Sequence, residues 1–215
     1  MKIFSGALEN GAAPDDSGAM PGVSTWTAAV PRDEDDGDLL RRASAGEHAA
    51  ANLLFRAHGP RVHRTATRIL GAHDADVEDV VQQTFLAAFD GSSGFDGRSS
   101  VGTWLVGIAT RRALDLARSR ARRARWSKVV SFLGLPGIAT PTAPDVPMEQ
   151  RSIVERAMNE LTPEQRVVFV LSGVEGYTLQ EIADMTGTGV STLHARLSAA
   201  RKRLDAFLAD LGESS

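Results

Sequence analysis

The chain has 215 residues and a formal net charge of −3, but its charges are segregated, with acids concentrated before residue 40 and arginines concentrated between residues 111 and 128. It contains no cysteine, which excludes disulfides and zinc–thiolate sites within these residues. No apolar run approaches the roughly 20 residues of a membrane span, and the first residues lack the apolar core of a secretory signal, so we expect a soluble cytoplasmic protein.

Composition and periodicity divide the chain into four segments. Residues 1–36 are rich in Gly, Ala, Pro, Ser and Asp without periodicity, which predicts a disordered acidic tail. Residues 37–126 and 148–211 show apolar residues at helical spacing, whereas residues 127–147 carry prolines and glycines that predict a flexible linker. Because strand alternation is nearly absent, the sequence predicts an all-α protein with two small helical domains.

The first domain contains a predicted helix from Asp74 to Asp90 with one clean apolar stripe. The residues expected to face inward are Val77, Val80, Val81, Thr84, Phe85 and Ala88. The opposite face carries Asp79, Gln82, Gln83 and Leu86. A leucine surrounded by acidic and amide groups is typical of a protein-docking patch, although an ordinary solvated face with one leucine remains the alternative.

A glycine- and serine-rich loop leads into the next predicted helix, which begins near Thr103. Its inner face is expected to hold Leu105, Ile108, Ala109, Ala113 and Leu116. Arg112 falls within this apolar face, so it either extends its charged head outward or meets a buried acid. The basic side of the helix can hold phosphates, and two aromatic residues could lie beside exposed bases. The alternative for Trp104, which is the commoner environment of a tryptophan, is a place in the core. The residues expected to contact nucleic acid are Phe95, Trp104, Arg111, Arg118 and Arg122.

The second domain is marked by helix-start signals. Thr162 and Gln165 form a predicted capping box, with Pro163 at the first helical position. Thr178 and Glu181 form a second predicted capping box. A preceding helix is expected to bury one stripe, made of Ile153, Val154, Ala157, Met158 and Leu161. These signals predict a short series of helices that ends at a glycine-containing break, Gly187 to Gly189.

After this break, the last predicted helix combines a buried stripe with a small, basic outer face. The stripe is Val190, Leu193, Leu197, Ala200 and Leu204. A helix with small polar residues outside and basic flanks suits a DNA major groove. The alternative is a solvated helix whose terminal Lys and Arg are favoured by the helix dipole. The residues expected to contact the duplex are His194, Arg196, Ser198, Ala199 and Arg201.

These segments, in this order, resemble the extracytoplasmic-function (ECF) sigma factors of bacterial RNA polymerase. "DVEDVVQQTFLAAF" looks like the region 2 helix that docks on the clamp helices of the β′ subunit. "FDGRSSVGTWLVGIATRRALD" looks like the segment that captures the −10 element, and "LTPEQRVVFVLSGVEGYTLQEIADMTGTGVSTLHARLSAARKRL" is similar to region 4, which binds the −35 element.

The resemblance implies a region 2 helical bundle and a region 4 helix-turn-helix joined by a linker. It also implies a non-catalytic specificity subunit, without cofactor or metal, whose partners are core RNA polymerase (the β′ clamp helices and the β subunit), promoter DNA and an anti-sigma factor. Two departures affect promoter choice: Arg111 stands where the family usually has an asparagine, and His194 and Ala199 stand where it often has Lys or Arg.

Two other functions are open to the sequence. The first is a helix-turn-helix regulator that binds DNA without joining polymerase, which leaves the docking patch unexplained. The second is a metal-dependent nuclease that uses Asp74, Asp76, Glu78 and Asp79. These acids crowd a helix start, where the dipole favours them without chemistry, and no positioned base or nucleophile accompanies them.

Overall fold

Eight α-helices account for most of the residues that the computed structural model describes, which are 35–91, 94–132 and 152–213. In the first half they are α1 (Asp36–Ser44), α2 (His48–Leu70), α3 (Val77–Phe89) and α4 (Val101–Phe132). In the second half they are α5 (Ile153–Asn159), α6 (Pro163–Phe169), α7 (Leu179–Thr186) and α8 (Val190–Glu213), and a π-helical turn (Val170–Val174) continues α6. No strand occurs in these ranges, so the predicted all-α fold is confirmed for them.

The first half is organised around α2, which packs against α1, α3 and α4. Leu54 and Val62 of α2 are fully buried, and Leu105 of α4 is 1% exposed. Phe85 of α3 meets Phe55 of α2 edge-on, with 4.8 Å between the ring centroids. These contacts fix α3 and α4, the two helices that carry the predicted interface residues, on one apolar core.

The second half begins its helices where the sequence predicts. The Thr162 hydroxyl accepts a hydrogen bond from the backbone N–H of Gln165, and Thr178 does the same for Glu181, so both predicted capping boxes are confirmed. Gly187 ends α7 in the left-handed region at φ 66°, a conformation that glycine adopts at little cost. The tight turn that follows joins α7 to α8 as a helix-turn-helix.

The two halves share a core rather than standing apart. α4 packs against both α6 and α7, and α2 contacts α6 and the π-helical turn. Val106 of α4, Val168 of α6 and Ile182 of α7 are all fully buried in one apolar cluster. This cluster brings the helix-turn-helix against the basic helix α4.

The sequence prediction is wrong for three apolar residues of the second half. Ile153 and Val154 are 58% and 70% exposed, and Val190 is 40% exposed. Ile153 and Val154 lie in the first turn of the seven-residue helix α5, which packs through its later residues Ala157 and Met158. The predicted stripe therefore applies only to the end of the helix.

Two predicted segments fall partly or wholly beyond this description. The predicted tail lies almost entirely outside the described residues, as does most of the predicted linker. The helix α4 continues to Phe132, so its last turns lie within the segment predicted as linker. Within the described ranges, no helix is both long enough and apolar enough to cross a membrane.

Candidate nucleic-acid and protein-docking interfaces

The outer face of α3 presents the predicted docking patch to solvent. Leu86 is 52% exposed, although its neighbour Phe85 is 4% exposed. Asp79 and Gln82 are exposed and Gln83 is half-buried. Because the apolar stripe of α3 packs against α2 and α4, one face of the helix belongs to the core and the opposite face is exposed to solvent.

The loop before α3 is tied to α4 by Arg120. Its guanidinium forms ion pairs with Asp74 and with Asp76, and the Asp74 carboxylate also accepts the backbone N–H of Asp76 at 2.9 Å. Burial alone would raise the pKa of Asp74, but the hydrogen bonds from Arg120 and from the Asp76 backbone hold it below its ordinary value. Two of the acids that a nuclease would need are therefore engaged in fixing α3.

The other two acids of that cluster do not assemble into a metal site. Glu78 lies 3.2 Å from Nε2 of His63, and Asp79 belongs to the exposed face of α3. Across the described ranges, no three side chains of His, Cys, Asp or Glu form a group that could hold a metal ion.

Phe95 and Trp104 come together where the loop enters α4. Their ring centroids are 5.2 Å apart with an interplanar angle of 60°. Both rings are half-buried against the core of the first half, so Trp104 is partly a core residue and partly accessible. Ser100 sets the start of α4, because its hydroxyl accepts the backbone N–H of Thr103 at 3.1 Å.

The predicted basic side of α4 is only partly free. Arg111 donates from Nη1 to the carbonyl oxygen of Met185 in α7 at 2.5 Å, and burial together with the nearby charge of Arg112 lowers the pKa of Arg111. Arg118 donates from Nε to Glu164 in α6 at 2.7 Å. The structure thus places two of the three predicted phosphate-binding arginines against the second half, and Arg122 is exposed.

Arg112 meets no buried acid. It is half-buried, and its Nε atom has no hydrogen-bond partner among the described residues. Because Nε is part of the guanidinium group and is itself buried, the head of Arg112 is not fully extended into solvent either.

The outer face of α8 remains open to solvent. His194, Ser198, Ala199 and Arg201 are exposed, and Arg196 is half-buried beside Glu164. His194, Ser198 and Arg201 line a shallow depression together with Lys202. Small side chains between basic ones allow a close approach of the helix to a DNA groove.

Three polar residues that join the halves have no signal in the sequence. Arg61 donates to the Tyr177 hydroxyl at 2.7 Å and lies over its ring. Arg166 donates to the carbonyl oxygen of Ile69 at 3.2 Å and to that of Met158 at 2.6 Å. Arg166 and Tyr177 lie within the segment that resembles region 4, but no pattern in the sequence pairs them with residues of the first half, so only the tertiary structure reveals these contacts.

Both halves of the chain match families of known proteins. Residues 54–123 match the family Sigma-70 region 2, and residues 151–204 match the family Sigma-70, region 4. The chain is 32% identical over 173 residues to the ECF RNA polymerase sigma factor SigM of Mycobacterium tuberculosis, covering 80% of this chain and 84% of the relative. It is 29% identical over 175 residues to the ECF RNA polymerase sigma-E factor of Escherichia coli, covering 78% and 91% of the two chains.

Solved structures agree with this assignment. CnrH, solved in complex with the cytosolic domain of CnrY, has a TM-score of 0.55 and 27% identity, and the match covers 82% of this chain and 99% of CnrH. The sigma factor RpoE of Bartonella quintana, solved with the anti-sigma factor NepR, has a TM-score of 0.52 at 24% identity over 72% of this chain and 94% of RpoE, which supports the fold alone.

Proposed function

The chain belongs to the ECF sigma factors of RNA polymerase, and we propose that it directs promoter-specific transcription initiation through three separate surfaces. The observation that carries this function is the presence of both sigma regions, in order, in one chain that aligns over most of its length with ECF sigma factors. A regulator that binds DNA without polymerase is not favoured, because it would have no use for region 2. The protein acts as a non-catalytic cytoplasmic subunit.

The first surface is the outer face of α3, which binds core polymerase at the β′ clamp helices. Leu86 supplies the apolar contact, and Asp79, Gln82 and Gln83 supply the polar rim. Exposure of one large apolar side chain among polar ones is the pattern of an interface centre. The second half adds a contact to the β subunit.

The second surface captures the melted −10 strand. Phe95 and Trp104 offer an aromatic platform for an unpaired base, and Arg111, Arg118 and Arg122 hold phosphates along α4. Opening duplex DNA costs a few kcal/mol per unstacked step, and stacking of the freed base on aromatic rings offsets part of this cost without ATP.

The third surface is the exposed face of α8, which enters the major groove at the −35 element. Ser198 and Ala199 lie at its centre, while Arg196 and Arg201 flank it and His194 lies nearer the start of the helix. Few charged groups at the centre favour contacts with thymine methyl groups. An anti-sigma partner is also part of the proposal, supported by the complex of the similar CnrH with a cytosolic protein domain.

The experiment is association with core polymerase followed by run-off transcription on a library of random promoters. We expect Leu86→Arg to weaken core binding by about 30-fold or more, the loss typical of an interface centre, without loss of helicity. Ala49→Arg places the same charge on an exposed residue of α2 and serves as the matched control. A wild-type chain that neither binds core polymerase nor initiates from any template would refute the function.

A further inference from the structure

The first turn of α4 lies against α2 at Gly102. A Cβ atom placed on this glycine would be 3.0 Å from Nδ1 of His58 and 3.5 Å from Nη1 of Arg61. An approach of 3.0 Å is tighter than nine in ten of the contacts that Cβ atoms make in proteins. A side chain at position 102 would therefore displace either His58 or the start of α4.

The close approach of His58 explains why a glycine stands at this position. Glycine is the weakest helix former apart from proline, and Gly102 lies within α4 with an ordinary right-handed backbone. Backbone geometry therefore does not require it, unlike Gly187, which has a positive φ. What position 102 requires is the absence of a Cβ atom.

His58 is held in place from its far side by α1. Its Nε2 atom lies 2.9 Å from a carboxylate oxygen of Asp36, the first residue of α1, and only 16% of the His58 side chain is exposed. Helix α1 is itself fixed on α2, because Leu39 and Leu40 are buried in the core of the first half. The imidazole ring is thus clamped between the start of α1 and the start of α4.

The same turn of α4 carries the aromatic pair that is proposed to receive an unpaired base. Trp104 follows Gly102 by two residues, and its ring centroid lies 5.2 Å from that of Phe95. On either side of Gly102, Val101 and Leu105 are buried in the core. Because the turn is anchored at these points, a displacement at Gly102 is transmitted to the Trp104 ring.

We propose that His58, clamped by Asp36, is a positioning residue for strand capture, which sets the first turn of α4 through Gly102 and thereby fixes the Trp104 ring. This role rests on the strand-capture surface proposed above. His58 acts through α4 and not by contact with DNA, so its effect is confined to the single-stranded −10 segment.

A double-mutant cycle at positions 58 and 102 tests this coupling. Gly102→Ala places a methyl group against the imidazole ring, and it should weaken strand capture by about 5- to 10-fold, within the range for the loss of one base–aromatic stack. In the His58→Ala background the methyl group has room, so the same substitution should change capture by less than about twofold. Since alanine also favours the helix, the stability of Gly102→Ala should not report the displacement.

The measurement uses holoenzyme formed from the full chain and core polymerase. The probe is a labelled fork-junction DNA cut from a promoter recovered in the random-library experiment, with a duplex −35 element and a single-stranded −10 segment. Fluorescence anisotropy gives its affinity for each holoenzyme. A duplex fragment that ends upstream of the −10 segment reports −35 binding alone, which should be equal for all variants.

Matched controls make the same chemical changes elsewhere in the chain. Gly173→Ala adds a methyl group where the nearest atom, in Phe169, is 3.8 Å away, and His48→Ala removes an exposed imidazole at the start of α2. Both should stay within about twofold of wild type on the fork-junction probe.

The clamp on His58 is tested by a conservative replacement. His58→Ala should weaken capture by about fivefold, whereas His58→Gln, whose amide can donate to Asp36, should recover most of it. If His58→Ala does not fold, Asp36→Ala takes its place in the cycle, because it frees the ring without emptying the core.

The outcomes separate the positioning role from the proposed function. Equal affinity of Gly102→Ala and wild type for the fork-junction probe, or an equal loss in both backgrounds, would overturn the positioning role. An equal loss on the upstream duplex would overturn it as well. A wild-type chain that fails to bind core polymerase would refute the function itself, whereas normal core binding without the coupling would refute only the role of His58.

Discussion

Arg120 of α4 forms an ion pair with Asp74 in the loop before α3, although 46 residues separate them in the chain. The same guanidinium forms a second ion pair with Asp76. One arginine therefore fixes the start of the proposed polymerase-docking helix against the proposed promoter-binding helix. The two surfaces are held in a defined relation by side chains that belong to neither.

Replacement of Arg120 should destabilise the first half. Arg120→Met leaves Asp74 with 11% of its side chain exposed and without its cation, and we expect the free energy of unfolding to fall by about 1–3 kcal/mol. Urea unfolding followed by circular dichroism measures the change. Arg123→Met, at an exposed residue of the same helix, should change stability by no more than about 0.5 kcal/mol. Equal effects of the two variants would contradict the role given to Arg120.

Removal of a capping box should weaken the helix-turn-helix. The Thr178 hydroxyl accepts the backbone N–H of Glu181 at 3.2 Å, and the Glu181 carboxylate accepts the backbone N–H of Thr178 at 2.8 Å. Thr178→Ala should therefore lower the free energy of unfolding by about 1 kcal/mol, whereas Thr178→Ser should retain most of it. Urea unfolding distinguishes them, and a Ser variant as unstable as the Ala variant would show that the hydroxyl is not the source.

Local signals in the sequence were sufficient for the helices and insufficient for their assembly. The boxes at Thr162 and Thr178 were predictable because each involves residues three positions apart. The predicted buried stripe was wrong at Ile153 and Val154, because helical spacing does not show which turns of a short helix pack against the core.

The residues of the candidate site were likewise predictable from local patterns, whereas their long-range contacts were not. The exposed Leu86 follows from the periodicity of α3, since residues opposite a buried stripe are solvated. The engagement of Arg111 by Met185 spans 74 positions, and periodicity carries no information on such pairs. The sequence therefore predicted which arginines lie on the outer side of α4, but not that Arg111 and Arg118 contact another part of the chain.

Replacement of Arg201 and replacement of Arg203 should have different effects on binding to promoter DNA. Arg201 lies on the exposed face of α8, so Arg201→Ala should weaken binding to a −35 duplex and reduce the slope of log affinity against log salt by about one. Arg203 donates to the carbonyl oxygen of Glu160 at 2.9 Å, so Arg203→Ala should lower stability and leave the salt slope nearly unchanged. Fluorescence anisotropy at several salt concentrations measures both slopes. The same reduction in slope for both variants would mean that Arg203 also contacts phosphate.

The ion pair between Arg118 and Glu164 should give a pH-dependent contribution to stability. Burial alone would raise the pKa of Glu164, but the hydrogen bond from Arg118, the backbone of α6 and the charges of Arg118 and Arg196 hold it below its ordinary value of 4.5. When folding lowers the pKa of a carboxyl group, the group contributes to the free energy of unfolding. This contribution is complete at pH values above the pKa of the unfolded state, and it is lost as the pH falls through the lower pKa of the folded state. At pH 7 we expect Glu164→Gln to cost about 0.5–1 kcal/mol, the size found for partly exposed pairs.

This cost should shrink as the pH falls below about 4.5, where protonation removes the charge of Glu164 from the wild-type protein as well. Urea unfolding of the wild type and of Glu164→Gln at pH 7, 5 and 3.5, spanning these pKa values, measures the difference at each pH. Glu160→Gln, whose side chain is exposed, provides the reference for a change of charge alone. A difference between wild type and Glu164→Gln that stays constant or grows on acidification would exclude the ion pair as its cause, because an uncharged Glu164 cannot attract Arg118.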